Sequence, residues 1–89
     1  IKISYIITIT ITGIKSEERI IPRKGNIILN SSKNEIGVIT SGTFSPTLKT
    51  PIGIGFILKD NLNYNEEIFV DNDRKIFKAK ISSLPFINS

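Results

Sequence analysis

"TSGTFSPTLKTPIGIGF", residues 40–56, puts small hydroxyl residues, a Ser-Pro, a Thr-Pro and alternating glycines into one short span. Three chemistries use such a span: a loop with a serine nucleophile, a glycine-rich phosphate cradle, or turn-and-strand punctuation in a β-domain. A phosphate cradle needs its glycines between a strand end and a helix start. Here they fall inside a period-two run, "IGIGFIL" (52–58). In it Ile52, Ile54, Phe56 and Leu58 share one face, and Gly53, Gly55 and Ile57 share the other. A nucleophilic Ser41 or Ser45 would need a base, and the chain has no histidine. Punctuation fits better. Thr40 is expected to end a strand, and Ser41-Gly42 to make a tight turn with Gly42 at positive φ. Pro46 and Pro51 hold Ser45 and Thr50 extended, and the hydroxyls satisfy nearby backbone groups. Glycines on one face of the following strand admit a close neighbour.

Strand signals dominate on both sides of this span. From Ile1 to Thr12 one parity holds Ile1, Ile3, Tyr5, Ile7, Ile9 and Ile11, and the other Lys2, Ser4, Ile6, Thr8, Thr10 and Thr12. This β-branched alternation predicts a half-buried strand ended by Gly13. "KSEERIIPRKG" (15–25) predicts a loop or single turn, because Pro22 stops a helix. "NIILN" (26–30) is a short strand, "NSSKNE" (30–35) a turn, and "EIGVITS" (35–41) a strand in which Gly37 marks a bulge or a close approach. "KDNLNYNEE" (59–67) is a loop. "EIFV" (67–70) and "KIFKAKI" (75–81) flank "DNDR" (71–74) as a hairpin, with Phe77, Ala79 and Ile81 inward and Lys78 and Lys80 outward. The seven aromatics Tyr5, Phe44, Phe56, Tyr64, Phe69, Phe77 and Phe86 fall mostly at inward parity, which favours core packing over a base-stacking platform. The predicted fold is all-β. With about six short strands and no helix, a small closed or partly closed antiparallel barrel is the way to remove exposed edges.

Composition narrows the function. The 89 residues allow one domain, residues 1–89, and a chain this size buries roughly 60–65% of its unfolded surface. With no cysteine and no histidine there is no disulfide scaffold, thiol nucleophile or Cys/His zinc site, and a self-contained hydrolase is disfavoured. No catalytic or metal-ligating residue is assigned. The net charge of +4 comes from 12 Lys+Arg against 8 Asp+Glu. The lysines are scattered, so a mildly basic surface is favoured over a nucleic-acid site. "IKISYIITITITG" (1–13) is too polar and too short to span a bilayer, and no membrane association is expected. Asn30-Ser31-Ser32 matches the glycosylation pattern without a secretory signal beside it. A start at Ile1 rather than Met suggests a processed piece or a domain cut from something longer.

The residues also carry a resemblance. "EIGVITSGTFSPTLKTPIGIGFI" (35–57) resembles the signature of the C-terminal barrel domain of glycine-cleavage T-protein, the aminomethyltransferase family. Thr40, Ser41, Gly42, Ser45, Pro46 and Leu48 are its most specific run. "IIPRKGNIIL" (20–29) resembles the family's Pro/Ala-Arg-x-Gly segment, and "KAKISSLPFINS" (78–89) its closing Val-x-x-x-Pro-Phe strand and tail. The resemblance implies a domain that packs on and closes a folate site. In that family a one-carbon unit passes from aminomethyl lipoate on H-protein to tetrahydrofolate, with release of ammonia. The catalytic aspartate lies in the preceding folate-binding domains, which these residues do not include, so this chain alone is expected to be inactive. The implied partners are the folate-binding domain of the same protein and lipoylated H-protein, in bacterial cytoplasm or the mitochondrial matrix. Arg23, Thr40, Ser41, Gly42 and Ser45 are the candidates for the domain interface or for proximity to substrate. No arginine follows Pro85-Phe86, so the family's folate-approaching tail arginine has no counterpart here. Two readings stay open beside this one. One is a stand-alone barrel that joins a larger assembly or binds RNA without catalysis. The other is a barrel from the wider folate-binding relatives, including demethylases and iron–sulfur assembly factors.

Overall fold

A computed structural model of the chain describes residues 9–58 and 66–84. Six antiparallel strands close into a barrel in the order β1-β4-β3-β2-β5-β6, with β6 returning to β1. They are β1 (Ile9–Ser16), β2 (Ile27–Leu29), β3 (Glu35–Ser45), β4 (Thr50–Leu58), β5 (Glu67–Asp71) and β6 (Ile76–Ser82). The expected all-β closed barrel is therefore observed. The β5–β6 hairpin is as the sequence indicates. Asp73 takes the left-handed conformation in its turn (φ 74°), and Phe77, Ala79 and Ile81 are buried between exposed Lys78 and Lys80. Short polar residues tolerate that backbone, and Asn72 Oδ1 accepts from the N–H groups of Arg74 and Lys75.

In β1 and β4 the parity rich in large apolar side chains faces outward, so Phe56 is not at the inward position expected of the aromatics. Ile9 and Ile11 are exposed, while Thr12, Ile14 and Ser16 are buried. Gly13 lies within β1 rather than ending it. Residues 1–8 of the expected strand lie outside the described residues. In β4 the interior face is Pro51, Gly53, Gly55 and Ile57, and Phe56 and Leu58 are exposed. The cause is the narrow interior. A six-stranded barrel cannot hold a large side chain at every inward position, so large and small alternate across it. Ile28 Cδ1 lies within 2.9 Å of where a Cβ on Gly55 would stand, and Ile14 sits across from Gly53 in the ladder. A one-residue change of parity moves every side chain to the opposite face. Thr12, turned inward, satisfies its hydroxyl by donating to the Ser82 carbonyl (3.0 Å). Ile14, Ile28, Ile36, Ile39, Ile57, Ile68, Val70, Phe77, Ala79 and Ile81 form the core.

β3 also differs from expectation. Thr40 does not end the strand. It is the extra residue where the register shifts between Ile39 and Ser41, and its hydroxyl donates to the Ile54 carbonyl (3.0 Å). Ser41 and Gly42 continue the ladder opposite Ile54 and Gly53, so they form no turn and Gly42 has no positive φ. The turn comes later. Ser45 Oγ accepts from Leu48 N–H (3.1 Å) and Lys49 takes the left-handed conformation (φ 56°). Gly37 makes the close approach expected of it, since a Cβ there would meet the Phe56 carbonyl. The loop predicted at 59–67 falls mostly outside the described residues.

The β1–β2 connection, residues 17–26, crosses one end of the barrel as a strap. At its start Glu17 N–H donates to the Lys78 carbonyl (2.9 Å). Glu18 accepts from Lys78 N–H and from Lys75 Nζ, both at 2.9 Å. Pro22 is buried over Gly42 and Gly53, the facing pair of β3 and β4. At its end Gly25 N–H donates to the Ile39 carbonyl and Ile39 N–H to the Asn26 carbonyl, both at 2.8 Å.

The backbone donor from Lys78, and then the Lys75 ammonium, hold the Glu18 carboxyl below its ordinary pKa of 4.5. A lowered folded-state pKa gives stability that is present above pH 4.5 and lost as pH falls through the folded value. We expect the protection of the strap amides, taken relative to intrinsic exchange at each pH, to fall on acidification below pH 4.5, and Glu18→Gln to remove that acid-dependent component. Identical acid profiles for the two proteins would contradict the clamp.

Candidate functional site

The strap and the β3–β4 hairpin converge at one end of the barrel, where Arg23 and Gly42 meet, while Thr40, Ser41 and Ser45 lie on β3 away from that contact. Arg23 follows the socketed Pro22. Its side chain is exposed, and its N–H donates to Asn26 Oδ1 (2.9 Å), which fixes the bend of the strap. Gly42 lies directly beneath the Pro22 carbonyl, so Arg23 and Gly42 are brought together through the intervening proline. Ser41 is exposed on the outer face of the hairpin, where it borders a depression of about 250 Å³ with Thr43, Ile52 and Ile54. Thr40 and Ser45 have structural work for their side-chain oxygens, as described above, in the bulge and in the turn.

A cleft of about 620 Å³ opens between the end of β1 at Ser16, the start of the strap at Glu17, Glu18 and Arg19, and the hairpin tip. Phe44 and Pro51, paired across the hairpin, form its apolar side, and Arg19 and Lys49 bring cationic groups to it. Phe44 is 48% exposed, so this aromatic is a cleft wall rather than the core residue its parity suggested. The hydroxyls at the cleft are engaged internally. Ser16 Oγ donates to the Glu18 carbonyl (2.7 Å), and Thr50 Oγ1 donates to the Ser16 carbonyl (3.1 Å). The strap's Glu17 Oε2 is 3.3 Å from Lys80 Nζ. Among the described residues there is no group of three or more acidic side chains that could hold a metal ion. Such a junction can bury a partner surface or wall a pocket built elsewhere.

Sequence reasoning missed Lys49 and the strap's acidic start as members of this junction, and it included Phe44 in the 40–48 candidate loop without giving it a role. The usable signal was the hairpin register. Once Ser45 is placed opposite Thr50, Phe44 falls on the same face as Pro51 beside the strap.

Comparison with known proteins gives a consistent result. The family described as glycine cleavage T-protein C-terminal barrel domain matches residues 7–88. An aminomethyltransferase of Prosthecochloris aestuarii is 34% identical over 79 residues, covering 89% of this chain and 22% of that protein. One from Bdellovibrio bacteriovorus is 38% identical over 81 residues, covering 91% of this chain and 22% of that protein. The crystal structure of glycine cleavage system aminomethyltransferase T from Bartonella henselae superposes with a TM-score of 0.78 at 29% identity, over 89% of this chain and 22% of that one. The chain thus spans little more than a fifth of the length of these relatives.

Proposed function

We propose a function that proceeds from one fact: the chain belongs to the glycine cleavage T-protein C-terminal barrel family. Its barrel serves as the C-terminal domain of an aminomethyltransferase-like protein. There it packs on the folate-binding domain and walls one side of the folate pocket. The observation that carries this reading is the junction of strap and hairpin. Of the residues that bear the family resemblance, Gly42 lies against the Pro22 carbonyl next to Arg23, and Phe44 and Ser45 follow it on the same hairpin.

The barrel's part is positional. Tetrahydrofolate is the acceptor substrate, held mainly by the preceding domain. The cleft of this chain supplies an aromatic wall and two cations, but its Ser16 and Thr50 hydroxyls are already donating to protein carbonyls. Lipoylated H-protein delivers the aminomethyl group to that composite site. The alternative of a stand-alone module on RNA has less support, because Lys75 and Lys80 are paired with Glu18 and Glu17 and break up the basic surface.

The test is H-protein-dependent ammonia release and one-carbon transfer to tetrahydrofolate. We expect it from the whole polypeptide that carries this segment and none from the 89-residue chain. Turnover by the 89-residue chain alone would place the chemistry in the barrel and overturn the positional role. Inactivity of the whole polypeptide would overturn the reaction assignment.

A further inference from the structure

The barrel closes, but the β3–β4 hairpin runs past the strands beside it. On one flank β2 reaches β3 only as far as Val38, opposite Ile27, and the strap then takes both the N–H and the C=O of Ile39. From Ser41 to Ser45, β3 pairs with β4 on one side, and among the described residues no backbone pairs with its other side. The ladder decides which groups face that side. Successive residues of a strand turn their N–H and C=O alternately to its two flanks. Phe44 stands opposite Pro51, which has no N–H to give, so the two point their backbone groups away from each other. Gly42 and Phe44 therefore present N–H and C=O to the open flank. The extra residue at Thr40 gives the same answer, because it shifts the alternation by one after Ile39, which bonds to the strap.

The two edges of the hairpin tip differ. On the β4 edge Pro51 removes a donor, and the Thr50 hydroxyl donates to the Ser16 carbonyl. On the β3 edge the run Ser41-Gly42-Thr43-Phe44-Ser45 has no proline and no charge. Exposed edges are normally blunted by one or the other, since they are templates for a further strand. Cations stand at both ends of this edge. Gly25 bonds Ile39 at the inner end and brings exposed Arg23 and Lys24 there, and Lys49 is in the turn at the outer end. Lys49 is also the one charged residue between Ile36 and Leu58. We infer that this edge of β3 takes an extended strand from a second protein, one with acidic side chains at the ends of the paired segment. Gly42 and Phe44 supply the main-chain bonds, and Arg23, Lys24 and Lys49 set the charge of the partner. The Phe44 ring, 48% exposed, gives the added strand an apolar contact on the cleft side. The inference stands whether or not the parent protein carries out one-carbon transfer.

The test is fluorescence anisotropy of a labelled synthetic peptide with the whole polypeptide that carries this segment. The peptide alternates threonine and valine and has two glutamates at each end. We expect saturable binding. Lysines in place of the glutamates should weaken it about ten-fold. N-methylation of the central peptide amides, which removes their donors, should also weaken it about ten-fold or more. Phe44→Pro deletes an edge N–H and should abolish binding, while Phe44→Ala keeps that N–H and should weaken it only a few-fold. The peptide comparisons leave the protein unaltered, so they decide the matter if Phe44→Pro does not fold. Equal binding of the methylated or the lysine-ended peptide would overturn the inference, as would no binding at all or equal binding by the two variants. Gly42 and Phe44 amides already protected from exchange before peptide is added would assign the edge to the polypeptide's own chain. A dimer dispersed by Phe44→Pro would assign it to a second copy. Either result would overturn a separate partner.

Discussion

Gly42→Val is expected to destabilise the barrel by about 2–4 kcal/mol, the range of severe overpacking. The cause is contact rather than backbone conformation. Gly42 is in an extended ladder opposite Gly53, and a Cβ on it would run into the Pro22 carbonyl, with the Pro22 carbonyl carbon at 2.7 Å. That obstacle is main chain and cannot swing aside. The strap carrying it is tied at one end to β6 through Glu17 and Glu18, and at the other to β3 through Gly25 and Asn26. Relief therefore requires the strap to lift from the barrel end. Because the Cβ alone makes the clash, Gly42→Ala should cost nearly as much as the valine. Gly25 is the control. It has positive φ (93°) and open space around it, so Gly25→Ala should cost only its backbone strain, about 1 kcal/mol. Thermal unfolding of the three variants decides the matter. Equal melting of Gly42→Ala and the parent protein would sink the socket.

Phe77→Ala is expected to cost about 3–5 kcal/mol, the usual result of emptying a buried aromatic site. Phe77 is fully buried, stands opposite Val70 in the β5–β6 ladder, and belongs to a core otherwise built largely from isoleucine. Branched neighbours on rigid strands collapse poorly into the space a ring leaves. Phe77→Leu should retain most of the stability, with a loss below about 1.5 kcal/mol. Phe56→Ala provides the contrast, below about 1 kcal/mol, because the ring is on the outer face and remains 41% exposed. Denaturant unfolding of the Phe77 and Phe56 variants measures both. A loss at Phe56 as large as at Phe77 would contradict the assignment of the two faces of β4.

Those two phenylalanines show what the sequence could and could not reveal. In β6 the parity was legible because Lys78 and Lys80 alternate with Phe77, Ala79 and Ile81, and charge marks the wet face. In β4 both faces are apolar or small. Which face turned inward depended on Ile28 reaching Gly55 and on Pro22 capping Gly53, contacts between segments far apart in sequence. β1 posed the same problem with isoleucine and threonine, since both suit strands and only the barrel chooses between them. Gly42 was read as a turn residue because Ser-Gly beside Thr is locally good turn chemistry. The true turn has Pro46 after Ser45 and a lysine, Lys49, in the left-handed position, where composition points away from it. For the site, the sequence pointed to Arg23 and Gly42, which meet through Pro22, and to Ser41, which stands on the outer face of the hairpin. It did not reveal that the Thr40 and Ser45 oxygens serve the backbone, or that Phe44 walls a cleft with the strap.

The most direct measurement is the mass of the native polypeptide, by immunoblot with an antibody raised to this barrel. We expect a band several-fold above 9.9 kDa, as befits a domain whose relatives devote only 22% of their length to it. A band near 9.9 kDa would contradict the proposed role, because a barrel without its folate domain has no pocket to close.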